Sequence, residues 1–243
     1  MRPFVRINMA MSADGKVATA NRAVHTFGSP RDGRHLHELR AASDAILCGA
    51  RTVEETGATL GNGGRHYDNL RQRLGRCPHP LRVVVSGSAS LSPNAPLWKD
   101  RSGPVVAWVS ASAPAARVRR LAGLADEVWT SPGDQVDVGA GLRWLAARHR
   151  VRDALVEGGG SLNDAFFRAG MVDELHLTWC PLLIGGSQAP TACDGLGTGP
   201  LAGAFRMALH SIQRHGNELF LVYRAAPAAG RGHPVRPRPR ARR

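Results

Sequence analysis

Short apolar runs rich in Val and Leu alternate with helix-like stretches almost from end to end of the sequence, and this alternation confines the chain to an α/β architecture. Strands are expected over residues 4–11, 44–49, 81–86, 105–110, 127–130, 154–157 and 174–179. Helices are expected over 30–43, 114–124 and 140–149, with another opening at Ser161 and stopped by Gly170. The first helix has a full start signal: Ser29 as N-cap, Pro30 at the first position and Asp32 three residues after the cap. Residues 205–212 and 218–223 read as an antiparallel hairpin around His215-Gly216-Asn217. The expected sheet is therefore mostly parallel with an antiparallel C-terminal edge, and it carries helices on both faces. Residues 57–80, rich in Gly, Arg and Asn, read as a loop over a ligand.

A chain of 243 residues suits one large α/β domain, expected over 1–225, and its 43% hydrophobic and 21% charged residues are those of a globular protein. No apolar run approaches the roughly 20 residues that span a bilayer, and the N-terminus lacks a signal-peptide core, so no membrane association and a cytoplasmic location are expected. The formal net charge of +13 would suit a nucleic-acid binder. Six arginines and no acid fall in residues 225–243, however, which leaves +7 on the other 224 residues. Residues 226–243 are expected to form a disordered Arg/Pro-rich tail whose polyanion binding would be unspecific and salt-sensitive, and no specific nucleic-acid partner is expected. Cys48, Cys77, Cys180 and Cys193 lie far apart without a Cys-x-x-Cys pair, so no metal site is expected, and they read as reduced, mostly buried thiols.

In α/β sheets ligands bind where strands end, and four such places carry suitable residues. At Ala10-Met11-Ser12-Ala13-Asp14-Gly15-Lys16 a strand breaks into a turn with a carboxylate and an ammonium; an ordinary Asp-Gly turn would read the same. At Gly49-Ala50-Arg51-Thr52-Val53 a glycine permits close backbone approach and Thr52 can hydrogen-bond a ligand. At Glu157-Gly158-Gly159-Gly160-Ser161-Leu162-Asn163 a strand, three glycines and a helix start make a place suited to phosphates. Gly158-x-Gly160 matches a Rossmann fingerprint in part only, because Asn163 stands where a third glycine belongs and the turn falls late in the chain. Arg40 lies beside the Leu36, Leu39, Ser43 stripe of the first helix, where its guanidinium could grip a phosphate with two prongs or simply reach solvent.

These four places, in this order, resemble the reductase domain of the bifunctional riboflavin-biosynthesis deaminase-reductases and its stand-alone fungal and archaeal relatives. The likeness rests on MSADGK at 11–16, LRAASDAILCGARTV at 39–53, LVEGGGSL at 155–162 and VDELHLTWCPLLIGG at 172–186. No His-x-Glu with Pro-Cys-x-x-Cys is present, so the zinc deaminase half is absent. Two stretches depart from the family pattern: Val24-His25-Thr26-Phe27-Gly28 replaces a Ser-x-Trp segment, and Glu55-Thr56-Gly57-Ala58 replaces an Ala-Asp-Asp-Pro run. Thr56 then stands where the family has an aspartate, with Glu54 or Glu55 as substitutes.

The resemblance implies a three-layer αβα dihydrofolate-reductase-like fold, a homodimer, and NADPH-dependent reduction of a phosphorylated pyrimidine substrate, a phosphoribosylamino-pyrimidine reduced to its ribitylamino product. It implies that Ala10, Thr52, Gly159, Gly160, Ser161, Leu162 and Asn163 hold NADPH, with Ser86 and Ser88 near its adenosine end. Lys16 and Glu157 would be catalytic, Lys16 as proton or charge partner of the developing amine. Asp14, Arg40, Thr56, Leu60, Arg65 and Glu157 would face the substrate, with Arg65 a further phosphate ligand. Two alternatives stay open: a reductase of the same fold acting on another pterin or pyrimidine such as dihydrofolate, and an inactive fold whose basic tail binds nucleic acid.

Overall fold

The computed structural model describes residues 1–22 and 27–226. Most of the departure at 24–28, and the expected tail from 227 onward, lie outside the described residues. Among the described residues one sheet contains β1 (Phe4–Ser12), β2 (Ala45–Gly49), β3 (Leu81–Val85), β4 (Val105–Ser110), β5 (Glu127–Ser131), β6 (Asp153–Val156), β7 (Glu174–Cys180), β8 (Met207–His215) and β9 (Glu218–Ala225). Their order is β5-β4-β3-β2-β6-β1-β7-β9-β8. The ladders from β5 across to β7 are parallel; β9 runs antiparallel to β7 and β8 antiparallel to β9. This is the mixed sheet expected from the sequence, with its antiparallel C-terminal hairpin.

Helices α1 (Pro30–Ala42), α2 (Ala50–Thr56), α3 (Arg65–Arg73), α4 (Pro96–Lys99), α5 (Ala115–Ala122), α6 (Val138–His149) and α7 (Gly160–Arg168) cover the sheet. Alternate strand residues feed two cores, as a pleated strand buried on both faces requires. Leu47, Val83 and Trp108 pack with Leu142 and Phe166 under α6 and α7. Ile46, Val84 and Ala107 pack with Val53 and Leu121 under α2 and α5. No helix among the described residues is long and apolar enough to cross a membrane.

Four local expectations are corrected. Residues 57–80 contain α3 rather than being loop throughout. The helix expected to be capped by Ser161 begins one residue earlier at Gly160, with Gly159 as N-cap and no side-chain cap bond. Of the four thiols, Cys48 and Cys180 are buried but Cys77 and Cys193 are exposed. The start expected at Ala140 moves to Val138, because the Asp137 side chain accepts from Ala140 N at 2.8 Å and caps the helix from there.

Candidate active site

A cleft of about 1010 Å³ opens at the carboxyl ends of the neighbouring strands β3, β2, β6 and β1, where each chain leaves the sheet for a helix or turn. Its lining includes Ala10, Arg40, Thr52, Thr56, Ser86, Ser88, Glu157, Gly159, Gly160, Ser161 and Leu162, so much of the expected site is brought together. Arg40 does not present a free fork to it. Its Nε and Nη2 donate to the two Glu157 oxygens, both at 2.6 Å, and Nη1 donates to Gly61 O at 2.7 Å. Burial alone would pull the Arg40 pKa down, but the Glu157 carboxylate outweighs it and raises the pKa. A two-pronged phosphate grip by Arg40 is therefore replaced by a two-pronged grip on Glu157, whose remaining lone pairs border the cleft.

The three-glycine turn closes the opposite wall. Gly49 N donates to Gly158 O and Gly159 N donates to the Thr52 hydroxyl, both at 2.9 Å, so the turn is stitched to the start of α2. The Gly158–Gly159 peptide is cis, and Gly158 has φ +86°. A Cβ on Gly159 would stand 2.8 Å from Thr52 Oγ1, and one on Gly160 would stand 2.7 Å from Thr191 O. Glycine is thus required for this close approach. The N–H groups of Gly160 and Ser161 in the first turn of α7 have no partner among the described residues. They are the unbonded donors of a helix start, and the positive end of the helix dipole lies behind them.

A face of α1 forms a third wall, since Asp32, Leu36 and Arg40, at four-residue spacing, all line the cleft. Burial raises the Asp32 pKa above the usual carboxylate value; the Thr178 hydroxyl works against this and the Glu218 charge adds to it. Cys48 also borders the cleft, but burial pushes its thiol far up, which rules against a nucleophilic role. Asn8, Asp32 and Asp194 are lining residues that the sequence reading missed. For Asp32 the i, i+4, i+8 spacing with Leu36 and Arg40 is the signal that was available.

Five expected residues lie elsewhere. Lys16 Nζ donates to Ala189 O at 3.0 Å and its backbone bridges to Thr191, so the ammonium anchors a segment at the rim. Asp14 is exposed and accepts from Ser12 Oγ at 2.6 Å, Ile184 N at 3.1 Å and Gly185 N at 2.7 Å. Those bonds, the Ser12 one first, bring its pKa to about 2. Leu60 is fully buried in the core under α2, Arg65 is exposed at the first turn of α3, and Asn163 is buried with its amide donating to Ala192 O at 2.7 Å. A smaller hollow of about 260 Å³, between α1 and β9, holds none of the expected site residues.

The model of the RibD C-terminal domain family matches residues 3–221. The chain is 37% identical over 195 residues to a 2,5-diamino-6-ribosylamino-4(3H)-pyrimidinone 5′-phosphate reductase of Archaeoglobus fulgidus, covering 80% of this chain and 88% of that one. It is 35% identical over 225 residues to the protein of the same name from Methanothermobacter thermautotrophicus, covering 92% and 98%. Among solved structures it resembles a pyrimidine reductase-like protein from Corynebacterium diphtheriae (TM-score 0.76, 24% identity, 93% of each chain). It also resembles Acinetobacter baumannii RibD (TM-score 0.75, 22% identity, 93% of this chain and 58% of that one). At these identities the structures bear on fold alone.

Proposed function

The chain belongs to the RibD C-terminal domain family, and from that premise we propose that it is an NADPH-dependent reductase of riboflavin biosynthesis that converts the ribosyl group of a phosphoribosylamino-pyrimidine to ribityl. The observation that carries this reading is the convergence on one cleft of the glycine turn with its two free N–H groups and the Arg40–Glu157 pair. The names of the relatives point to the same chemistry.

The residues present fit a dinucleotide. The Gly160 and Ser161 N–H groups and the dipole of α7 suit its pyrophosphate, the bare Gly159 and Gly160 backbone admits it closely, and Ser86 and Ser88 border the far end of the cleft. When bound, the nicotinamide supplies the hydride that reduces the sugar C1′. Thr52 fixes the turn through Gly159 N, so the phosphate donors are ordered before the ligand arrives. Glu157, locked by Arg40, can accept hydrogen bonds from sugar hydroxyls and orient C1′. Lys16 is not assigned the proton, because its ammonium is held on the Ala189 carbonyl.

We further assign a homodimer. Leu177 and Trp179 of β7, Leu219 and Leu221 of β9, and Leu209 and Ile212 of β8 share the sheet face turned away from α1. Trp179, Leu209 and Ile212 are 38%, 53% and 55% exposed there. An uncovered apolar sheet face of this kind suits a second subunit.

The test is turnover of the synthetic diamino and deaminated precursors with NADPH carrying deuterium at the nicotinamide C4, run in parallel with NADH. Deuterium should appear at the ribityl C1′, and NADPH should be the better donor. No transfer to either precursor, or reduction of dihydrofolate alone, overturns the reading; equal use of NADH overturns the NADPH assignment.

A further inference from the structure

Reduction of a ribosyl group to ribityl consumes a proton as well as a hydride, because the sugar ring must open and its oxygen ends as a hydroxyl. A group in the cleft has to give that proton. Lys16 Nζ is held on Ala189 O, and Glu157 has both oxygens engaged by Arg40. Of the other acids that line the cleft, Asp194 is occupied by the Thr191 N–H at 3.1 Å and the Thr191 hydroxyl at 2.6 Å, while Glu54 and Glu55 are exposed on α2. Asp32 on α1 is the one that is both buried, at 9% exposure, and turned to the cleft.

The surroundings of Asp32 favour its protonated form. Three residues after an N-cap a carboxylate usually bonds back to the cap N–H, but here Glu218 takes the Ser29 N–H at 2.6 Å and the Ser29 hydroxyl at 2.5 Å. Gly28 lies over the Asp32 carboxyl, where any Cβ would collide. From β9 the facing charge is Glu218, of the same sign, and from β7 the facing groups are the Thr178 hydroxyl and the Cys180 thiol, which burial pushes up to about 12. One turn further along α1, burial and the neighbouring His176 ring bring the His35 pKa down to about 4, so it adds no positive charge at neutral pH. A buried carboxyl without a cation takes up a proton, and burial raises the Asp32 pKa accordingly.

Thr178 gives this acid a second side. Its hydroxyl bonds the Asp32 carboxyl, and the residue also lines the hollow of about 260 Å³ between α1 and β9, which is large enough for several waters. A threonine hydroxyl can donate to one neighbour while accepting from another, so it can hand a proton across. Resting on the reductase reading above, we propose that Asp32 is the acid that protonates the ribosyl ring oxygen, and that Thr178 returns a proton to it from the α1–β9 hollow. In the step, the lone pair of the glycosidic nitrogen forms C1′=N, the C1′–O4′ bond breaks onto O4′, and O4′ takes the Asp32 proton. C1′ then takes the hydride, the C=N electron pair returns to nitrogen, and the nicotinamide is left oxidised. One proton and one hydride are consumed, and solvent in the hollow makes good the proton without passing the occupied cleft.

The test uses the full-length protein, NADPH and the phosphoribosylamino-pyrimidine precursors. Because the neutral acid is the active form, wild-type kcat/KM should fall as pH rises through an apparent pKa above the ordinary carboxylate value of about 4. Asp32→Asn should lose about 100-fold or more in kcat/KM, with NADPH affinity within about twofold of wild type. Ring opening then limits the rate, so the isotope effect from NADPH deuterated at C4 should shrink. Formate should restore part of the activity of Asp32→Ala by donating from the vacated space. Thr178→Val, which removes the hydroxyl at nearly constant volume, should lower kcat severalfold and keep the pH dependence. A merely structural Asp32 would lower activity without changing the isotope effect and without rescue by formate, and either result overturns the assignment. A wild-type kcat/KM that is level from about pH 5 to about pH 9 overturns it without requiring any variant to fold, and an unchanged kcat in Thr178→Val overturns the route through the hollow. Absence of turnover in the wild type overturns the reductase reading itself.

Discussion

Arg40 and Glu157 are 11% and 9% exposed at their side chains and share two short charge-assisted bonds. A pair this buried contributes little net stability against an apolar replacement, but breaking it strands a charge, which costs about 3–5 kcal/mol. Arg40→Ala should thus lower stability by about that amount as well as impair turnover, whereas a guanidinium waiting in solvent for a phosphate would lower turnover alone. Glu157→Ala should do the same, and the double variant should cost clearly less than the two singles combined. Urea unfolding of the three variants checks this, and additive losses would show that the two side chains do not depend on each other. From sequence, Glu157 was legible as a cleft residue because it follows the end of β6, whereas Arg40 was legible only as a guanidinium beside the apolar stripe of α1 that could grip a ligand or reach solvent. That they bind one another was not legible, since 117 positions separate them and only the β1–β6–β2 topology brings them together. Lys16 was read from its place beside a strand end and Leu60 and Arg65 from the Gly-rich stretch and the resemblance, and none of these says whether a side chain turns to the cleft, to a neighbouring carbonyl or into the core.

At the scale of elements, what the sequence made readable were segments stabilised by their own apolar period or by their own caps: Ser29-Pro30 opens α1, and the Val-rich runs become β3 and β4. Helix α3 has neither. Its buried residue is Arg71, whose guanidinium donates to the carbonyls of Arg40 at 2.9 Å, Ser43 at 2.6 Å and Cys77 at 3.0 Å. A helix docked by a charged side chain on another helix's terminal carbonyls leaves no hydrophobic stripe to detect. The start of α7 shows the converse. Ser161 has the identity of a cap, yet the chain uses the bare Gly159, and the donors that a cap would have consumed stay free for a ligand. Gly160→Ala tests that arrangement. Its Cβ would lie 2.7 Å from Thr191 O and from Asp194 Oδ2, so the 191–194 segment must move. Stability should fall by about 1–3 kcal/mol, the usual range for overpacking, and NADPH affinity should fall at least as much in free-energy terms. Melting curves with and without NADPH measure both; unchanged cofactor affinity would place the pyrophosphate away from this turn.

Over the whole molecule two tendencies oppose each other. A formal charge of +13 keeps copies apart at low salt, while the sheet face built from β7, β9 and β8 leaves Trp179, Leu209 and Ile212 in water. On the other side of the sheet β7 is covered: Glu174, His176, Thr178 and Cys180 point under α1 and are buried. One-sided coverage is tolerable for an antiparallel segment whose open face is polar, but here Leu177, Leu219 and Leu221 extend the apolar area across all three strands. Burial of that face against its twin would remove the exposed area, and a two-fold axis allows the same patch to serve both subunits. Because the opposing force is long-range and the favouring force is apolar contact, association should tighten as salt is added, the reverse of an interface held by ion pairs. Sedimentation velocity on the wild type at micromolar concentration should show a dimer whose dissociation constant falls between low and moderate salt. Ile212→Asp places a charge within the apolar face, on an exposed residue of the edge strand β8 where it harms no core, and should give a monomer with nearly unchanged melting behaviour of the isolated subunit. A wild type that sediments as a monomer at every salt concentration, or an Ile212→Asp variant that stays dimeric, would show that this face does not hold two copies together.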